Sequence, residues 1–178
     1  MPSDTFRITR LGLIALLLQA GKGISGRKRI QKVMYLIDNL GWNSISDYKF
    51  HFYGTYSETL AQDVQDMVAN GWIREAQHGD LYSYNIPYNR QNLANGFVAR
   101  LRSRDGRRTD LTMAFAREVG QYSTEMLEVV STLVYVKKAR PNITNDELVR
   151  VSLSLKPQFE ERQFRAGLKI FGLMAKYS

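Results

Sequence analysis

A chain of 178 residues that is 44% hydrophobic is long enough to bury an ordinary core, organised as one domain with an appendage. It has no cysteine and only two histidines, His51 and His78, with no HExxH motif; disulfides and thiolate metal sites are excluded, and no zinc or histidine-based catalytic centre is expected. The net charge of +8 is uneven: residues 1–50 hold eight basic against three acidic side chains, and residues 100–108 hold five arginines against one aspartate.

The first helix is expected over residues 5–20, with Ile8, Leu11, Ala15 and Leu18 on one stripe and Ile14 and Leu17 widening it. The apolar run 11–18 behind Arg7 and Arg10 imitates a secretory signal. At eight residues it is too short to span a bilayer, no A-x-A site follows, and it runs into the helix-ending Gln19-Ala20-Gly21. It reads as a buried helix, which implies a cytoplasmic chain with no membrane partner.

A second helix follows Ser25 as its cap, with Ile30, Val33, Met34, Ile37 and Leu40 on the i, i+3, i+4, i+7 template and Gly41 at its end. Residues 49–53 read as a strand, Gly54 as a turn, and Ser57 as the cap of a third helix over 58–70. That helix turns Leu60, Val64, Met67 and Val68 inward and stops at Gly71. Strands over 72–77 and 81–86 flank His78-Gly79-Asp80, a short hairpin signal, with Tyr82, Tyr84 and Ile86 on one face.

Residues 88–108 are polar, hold two glycines and end in the arginine run, so they read as a connector. Helices are expected over 110–121 and 123–139, then from the capping box Thr144 to Glu147 through 155, and last from Pro157 with Phe164, Leu168, Phe171 and Ala175 on one side. The whole predicts an α+β, mainly α, fold: a winged helix-turn-helix domain over 1–99, and a helical extension over 100–178 that completes the core or forms a homodimer interface.

Two segments carry a resemblance. Gly26-Arg27-Lys28-Arg29-Ile30-Gln31-Lys32-Val33-Met34-Tyr35-Leu36 is followed by Phe50-His51-Phe52-Tyr53-Gly54-Thr55-Tyr56-Ser57 and Leu60. The block, about a third of the chain, resembles the YwgA-like bacterial proteins of uncharacterised function and, more distantly, Panacea or SocA-like antitoxin domains. Thr55 stands where that pattern has proline. The resemblance implies a winged-helix-like fold, suggests by analogy a place in toxin-antitoxin or mobile-element biology, and implies no catalytic residue.

Three surfaces are candidates. Arg27, Lys28 and Arg29 occupy the first turn of the second helix, where the helix dipole disfavours cations, and Lys32 extends the patch; a bound phosphate removes the conflict. The plain alternative is a solvated turn or internal pairing with carboxylates. Arg100, Arg102, Arg104, Arg107 and Arg108 form a phosphate-binding arm or an ordinary solvated loop. His78 and Tyr82 belong to the wing, within an aromatic group (Tyr53, Tyr56, Trp72, Tyr82, Tyr84) whose plain reading is core packing.

The third helix, which would enter the major groove in a helix-turn-helix protein, exposes Glu58, Asp63 and Asp66 and no base, so duplex DNA would be repelled from it. The function expected is therefore a non-catalytic winged-helix regulator that binds DNA or another nucleic acid through the basic helix start and acts in transcription regulation. The alternative is a protein-interaction module of antitoxin or adaptor type, using Gln62, Asp63 and Asp66. The chain has no P-loop, GxGxxG or GxSxG, so neither a cofactor nor an enzyme is implied.

Overall fold

Helix α1 (Pro2–Ala20) carries its charges in its first half and is apolar all round in its second, where every residue from Leu11 to Leu18 is buried. This is the buried helix expected from the signal-like run. In the computed structural model, which describes residues 2–42, 44, 47–52 and 54–177, no described helix is long and apolar enough to cross a membrane. Tyr53, expected in a strand and in the aromatic group, lies outside the described residues.

After α1 the chain reverses through Lys22 (φ 54°) and Gly23 (φ 116°) into strand β1 (Ile24–Ser25). A Cβ on Gly23 would stand 2.9 Å from the Tyr84 carbonyl oxygen, so the close approach requires glycine. Helix α2 (Arg27–Ile37) starts behind Gly26 (φ 99°), not behind Ser25, because Ser25 is paired with Ser83 in the sheet. It ends in a wide turn, Asp38–Trp42, that reverses at Gly41 (φ 93°).

The segment expected as a single strand plus a turn is a small hairpin, β2 (Lys49–His51) against β3 (Gly54–Tyr56), with Phe50 opposite Thr55. Ser57 caps helix α3 (Glu58–Ala69) as expected, its Oγ accepting from the Leu60 amide at 3.0 Å. Then β4 (Arg74–His78) and β5 (Leu81–Asn85) form the expected hairpin. β1 adds to it, giving a three-stranded antiparallel sheet in the order β1-β5-β4.

The stretch expected as a polar connector is helical. α4 (Gln91–Arg104) buries Ala94, Val98 and Leu101 on one stripe, and α5 (Gly106–Val119) starts at once, capped by Asp105 Oδ1 accepting from the Arg108 amide at 2.9 Å. α6 (Thr124–Ala139), α7 (Asn145–Leu155) and α8 (Glu161–Leu173) complete the chain. Thr144 caps α7 as expected, its Oγ1 accepting from the Glu147 amide at 3.3 Å, but the Glu147 carboxylate accepts from the Thr144 hydroxyl instead of closing the box; α8 begins behind Glu160 rather than at Pro157.

The fold is thus α+β and mainly helical. Its main core cluster runs from Leu11 to Met174 and includes Phe115, Ala116, Leu127 and Val130 as well as the first-half side chains, so residues on both sides of position 100 share it. A smaller cluster joins α6, α7 and α8 around Leu133, Leu148 and Phe164.

Candidate nucleic-acid interface

The basic start of α2 is used inside the molecule. Arg27 lays its guanidinium 3.6 Å from the Tyr82 ring centroid, donates to the Tyr84 hydroxyl at 3.1 Å and pairs with Glu75 at 3.2 Å. It thereby staples α2 to the β4–β5 hairpin. Burial, then the Glu75 hydrogen bond, pushes the Tyr84 hydroxyl up to about 12. Arg29 reaches the other way and donates to the Gly120 carbonyl at the end of α5 at 2.6 Å; burial lowers its pKa. Lys28 is exposed.

Lys32 does not extend this surface. It is 2% exposed and donates to the Thr55 carbonyl at 2.7 Å. Its neighbour Gln31 accepts from the Ser57 amide at 2.9 Å and donates to the Ser57 carbonyl at 3.0 Å. The Gln-Lys pair and the Gly-Thr-Tyr-Ser turn, the parts that carried the resemblance, therefore clamp each other. Below them Lys156 pairs with Glu128 at 2.8 Å and donates to the Phe52 carbonyl.

The acidic face of α3 is also occupied. Asp63 is buried, not exposed, with Arg10 at 2.6 Å and Arg7 at 3.2 Å; Arg7 also holds Asp66 at 2.6 Å, and Gln62 donates to Asp66 at 2.8 Å. The arginine run forms no flexible arm: it lies on the α4–α5 junction. Arg102 pairs with Asp110, Arg104 donates to Thr9 Oγ1, and Arg108 donates to the Gly41 carbonyl; Arg100 and Arg107 are exposed.

What the fold does gather is a cleft of about 700 Å³ between the α1–β1 turn, α2, the β4–β5 hairpin and the end of α5. Lys22, Arg29, Arg74 and His78 line it, and among the described residues no carboxylate does. Arg29 and His78 were expected site residues. Arg27, Lys28 and Lys32 instead line a separate cleft of about 190 Å³ shared with Glu75 and Val64, and Tyr82 serves as the platform under Arg27.

Lys22 and Arg74 escaped sequence reasoning. Lys22 sits in Gly21-Lys22-Gly23, a turn signal, and Arg74 lies in an acidic stretch whose regional charge conceals it. Arg74 and His78 share one face of β4 by the strand's period of two, but the strand expected over 72–77 leaves His78 in the turn, which hides the pairing. The cleft can hold anionic oxygens. No group of three or more His, Asp or Glu side chains that could hold a metal ion occurs among the described residues.

Over 114 residues, 63% of its length, the chain is 31% identical to uncharacterised protein YwgA of Bacillus subtilis (strain 168). The match spans 65% of that relative. The likeness to YwgA-like proteins read from the Gly26 to Leu60 block is borne out. No family model matches.

Proposed function

We propose that this relative of a bacterial protein is a non-catalytic regulator of winged-helix type that binds nucleic acid by its phosphates, through Lys22, Arg29, Arg74 and His78. The basic cleft free of lining carboxylates carries the reading. A phosphodiester chain presents closely spaced negative charge, and each phosphate neutralised releases condensed counterions, so such a cleft gains most against a polyanion. The element order α1, β1, α2, α3, β4, β5 supports the winged-helix assignment, with β2–β3 inserted between the two helices of the motif. The cleft lies beside the hairpin that would be the wing. A protein partner at α3 would meet Glu58, Gln62 and Gln65, while Asp63 and Asp66 are held by α1; that reading has the weaker support.

The test is fluorescence anisotropy with random-sequence DNA, duplex and single-stranded, at two salt concentrations. Binding should weaken as salt rises, and Lys22→Asn with Arg74→Ser should lower the slope of log K against log salt by about 2. Arg100→Ser with Arg107→Ser is the control for general charge. No association with either DNA at low salt, or an unchanged slope in the Lys22/Arg74 variant, overturns the reading.

A further inference from the structure

Beside the basic cleft lies a second one of about 380 Å³ with a different chemistry. Its polar walls are the amides Gln19, Asn85, Gln91 and Asn95 with Lys22 at one edge, and Leu18 and Ile86 supply a small apolar remainder. Lys22 and Asn85 line both clefts, so the two are neighbours at that point. Uncharged amides offer a phosphate far less than lysine or arginine does. They are the groups that pair with base edges, and a carboxamide is the two-point complement of adenine, which sets an amino donor beside a ring-nitrogen acceptor.

The amides are partly pre-arranged. Gln19 Nε2 donates to Asn95 Oδ1 at 2.8 Å, which leaves the Gln19 oxygen as an acceptor and the Asn95 NH2 group as a donor. Gln91 Nε2 donates to the Ile86 carbonyl at 3.2 Å, which likewise leaves its oxygen as an acceptor. Acceptors and donors thus stand together in one mainly polar recess, where a base would be read by its edge. A paired base in a duplex cannot turn its Watson–Crick edge into such a recess, whereas an unpaired base can.

We propose that the amide-lined cleft takes an unpaired adenine whose adjoining phosphate is held at Lys22, so that the nucleic acid bound is single-stranded and adenine-bearing. This rests on the phosphate-binding reading above, and the experiment separates the two. Binding of short oligodeoxyadenylate, oligodeoxycytidylate and oligothymidylate is compared at one salt concentration in the wild-type chain, in Asn95→Ala with Gln91→Ala, and in Lys22→Asn. The wild type should prefer the adenylate by about tenfold, the gain from one two-point base contact. Adenylate strands stack on themselves, so general electrostatic attraction does not produce that order.

The amide variant should lose the preference while keeping its thymidylate affinity; Lys22→Asn should weaken all three alike. Adenosine monophosphate, but not thymidine monophosphate, should displace the adenylate strand. Equal affinities for the three strands in the wild type, or a preference that survives in the amide variant, overturns the adenine site while leaving phosphate binding intact. Failure of every strand to bind overturns both.

Discussion

Gln31 is the side chain on which the middle of the molecule turns, since it satisfies both the amide and the carbonyl of Ser57 and Ser57 in turn caps α3. Gln31→Leu keeps the volume but leaves the buried Ser57 amide unpaired, while the Ser57 carbonyl keeps its bond from the Ala61 amide at 3.1 Å. Urea unfolding should show a loss of about 1–3 kcal/mol with an unchanged m-value. Lys32 beside it carries a pH signature. Burial, opposed by Glu128 and reinforced by Lys156 and Lys28, pushes its pKa down to about 8 from the ordinary 10.5. Between those values the unfolded chain binds the proton that the folded chain has shed, so stability rises with pH across that window; below it the cost of burying the ammonium is constant, roughly 3 kcal/mol. Unfolding of the wild type and Lys32→Met, compared from pH 7 to 10, should show the difference moving toward the wild type as pH passes about 8. A difference that does not vary with pH refutes the buried-ammonium account. The Gln-Lys pair was visible in the sequence as part of a motif, but its role was not. A basic residue in a charged first-turn neighbourhood reads as surface, and contacts with Thr55 and Ser57 have no local spacing signature.

Helices are held to one another by carboxylates that the sequence offers to a protein partner. Arg10 and Arg7 on α1 meet Asp63 and Asp66 on α3, and the Arg10–Asp63 pair is buried. Breaking a buried pair from one side strands a charge, so Asp63→Ala should cost about 3–5 kcal/mol, and Arg10→Met with Asp63→Leu should recover much of it. Thermal or urea unfolding of the three chains decides this; a double variant no better than Asp63→Ala refutes it. Close helix approach is equally specific. A Cβ on Gly167 of α8 would stand 2.8 Å from Val129 Cγ1 on α6, whereas Gly172 has nothing within 4 Å. Gly167→Ala should therefore destabilise by about 1–3 kcal/mol through overpacking, and Gly172→Ala should stabilise by up to about 1 kcal/mol through helix propensity. Strongly periodic helices (α2, α3, α6, α7) and the Ser57 and Thr144 caps were legible. α4 was not, although Ala94, Val98 and Leu101 have helical spacing, because its glycine and many polar residues, Asn92, Asn95 and Gly96 among them, resemble a linker.

At the scale of the whole molecule, the second half supplies part of the first half's core and part of its cleft. Phe115, Ala116, Leu127 and Val130 belong to the cluster built on α1 and α2, and Ala116 and Gly120 stand in the wall of the basic cleft opposite the hairpin. Arg29 is aimed into that cleft by its bond to the Gly120 carbonyl. A fragment of residues 1–99 would expose the apolar faces of α1 and α2 and leave Arg29 without its orienting acceptor. Losing large core side chains such as Phe115, Leu127 and Val130 forfeits about 1.5–3 kcal/mol each, and together an amount comparable to the entire stability of a small domain. The fragment should show no cooperative thermal transition by circular dichroism. Under the proposed phosphate binding, it should also lack the salt slope of the full chain, because the cleft has then lost the α5 wall that Ala116 and Gly120 supply. A fragment that melts cooperatively and keeps the slope would mean that the cleft is assembled by the hairpin and the α1–β1 turn alone. The shared wall argues otherwise, since Lys22 and Arg74 face an open side wherever α5 is missing.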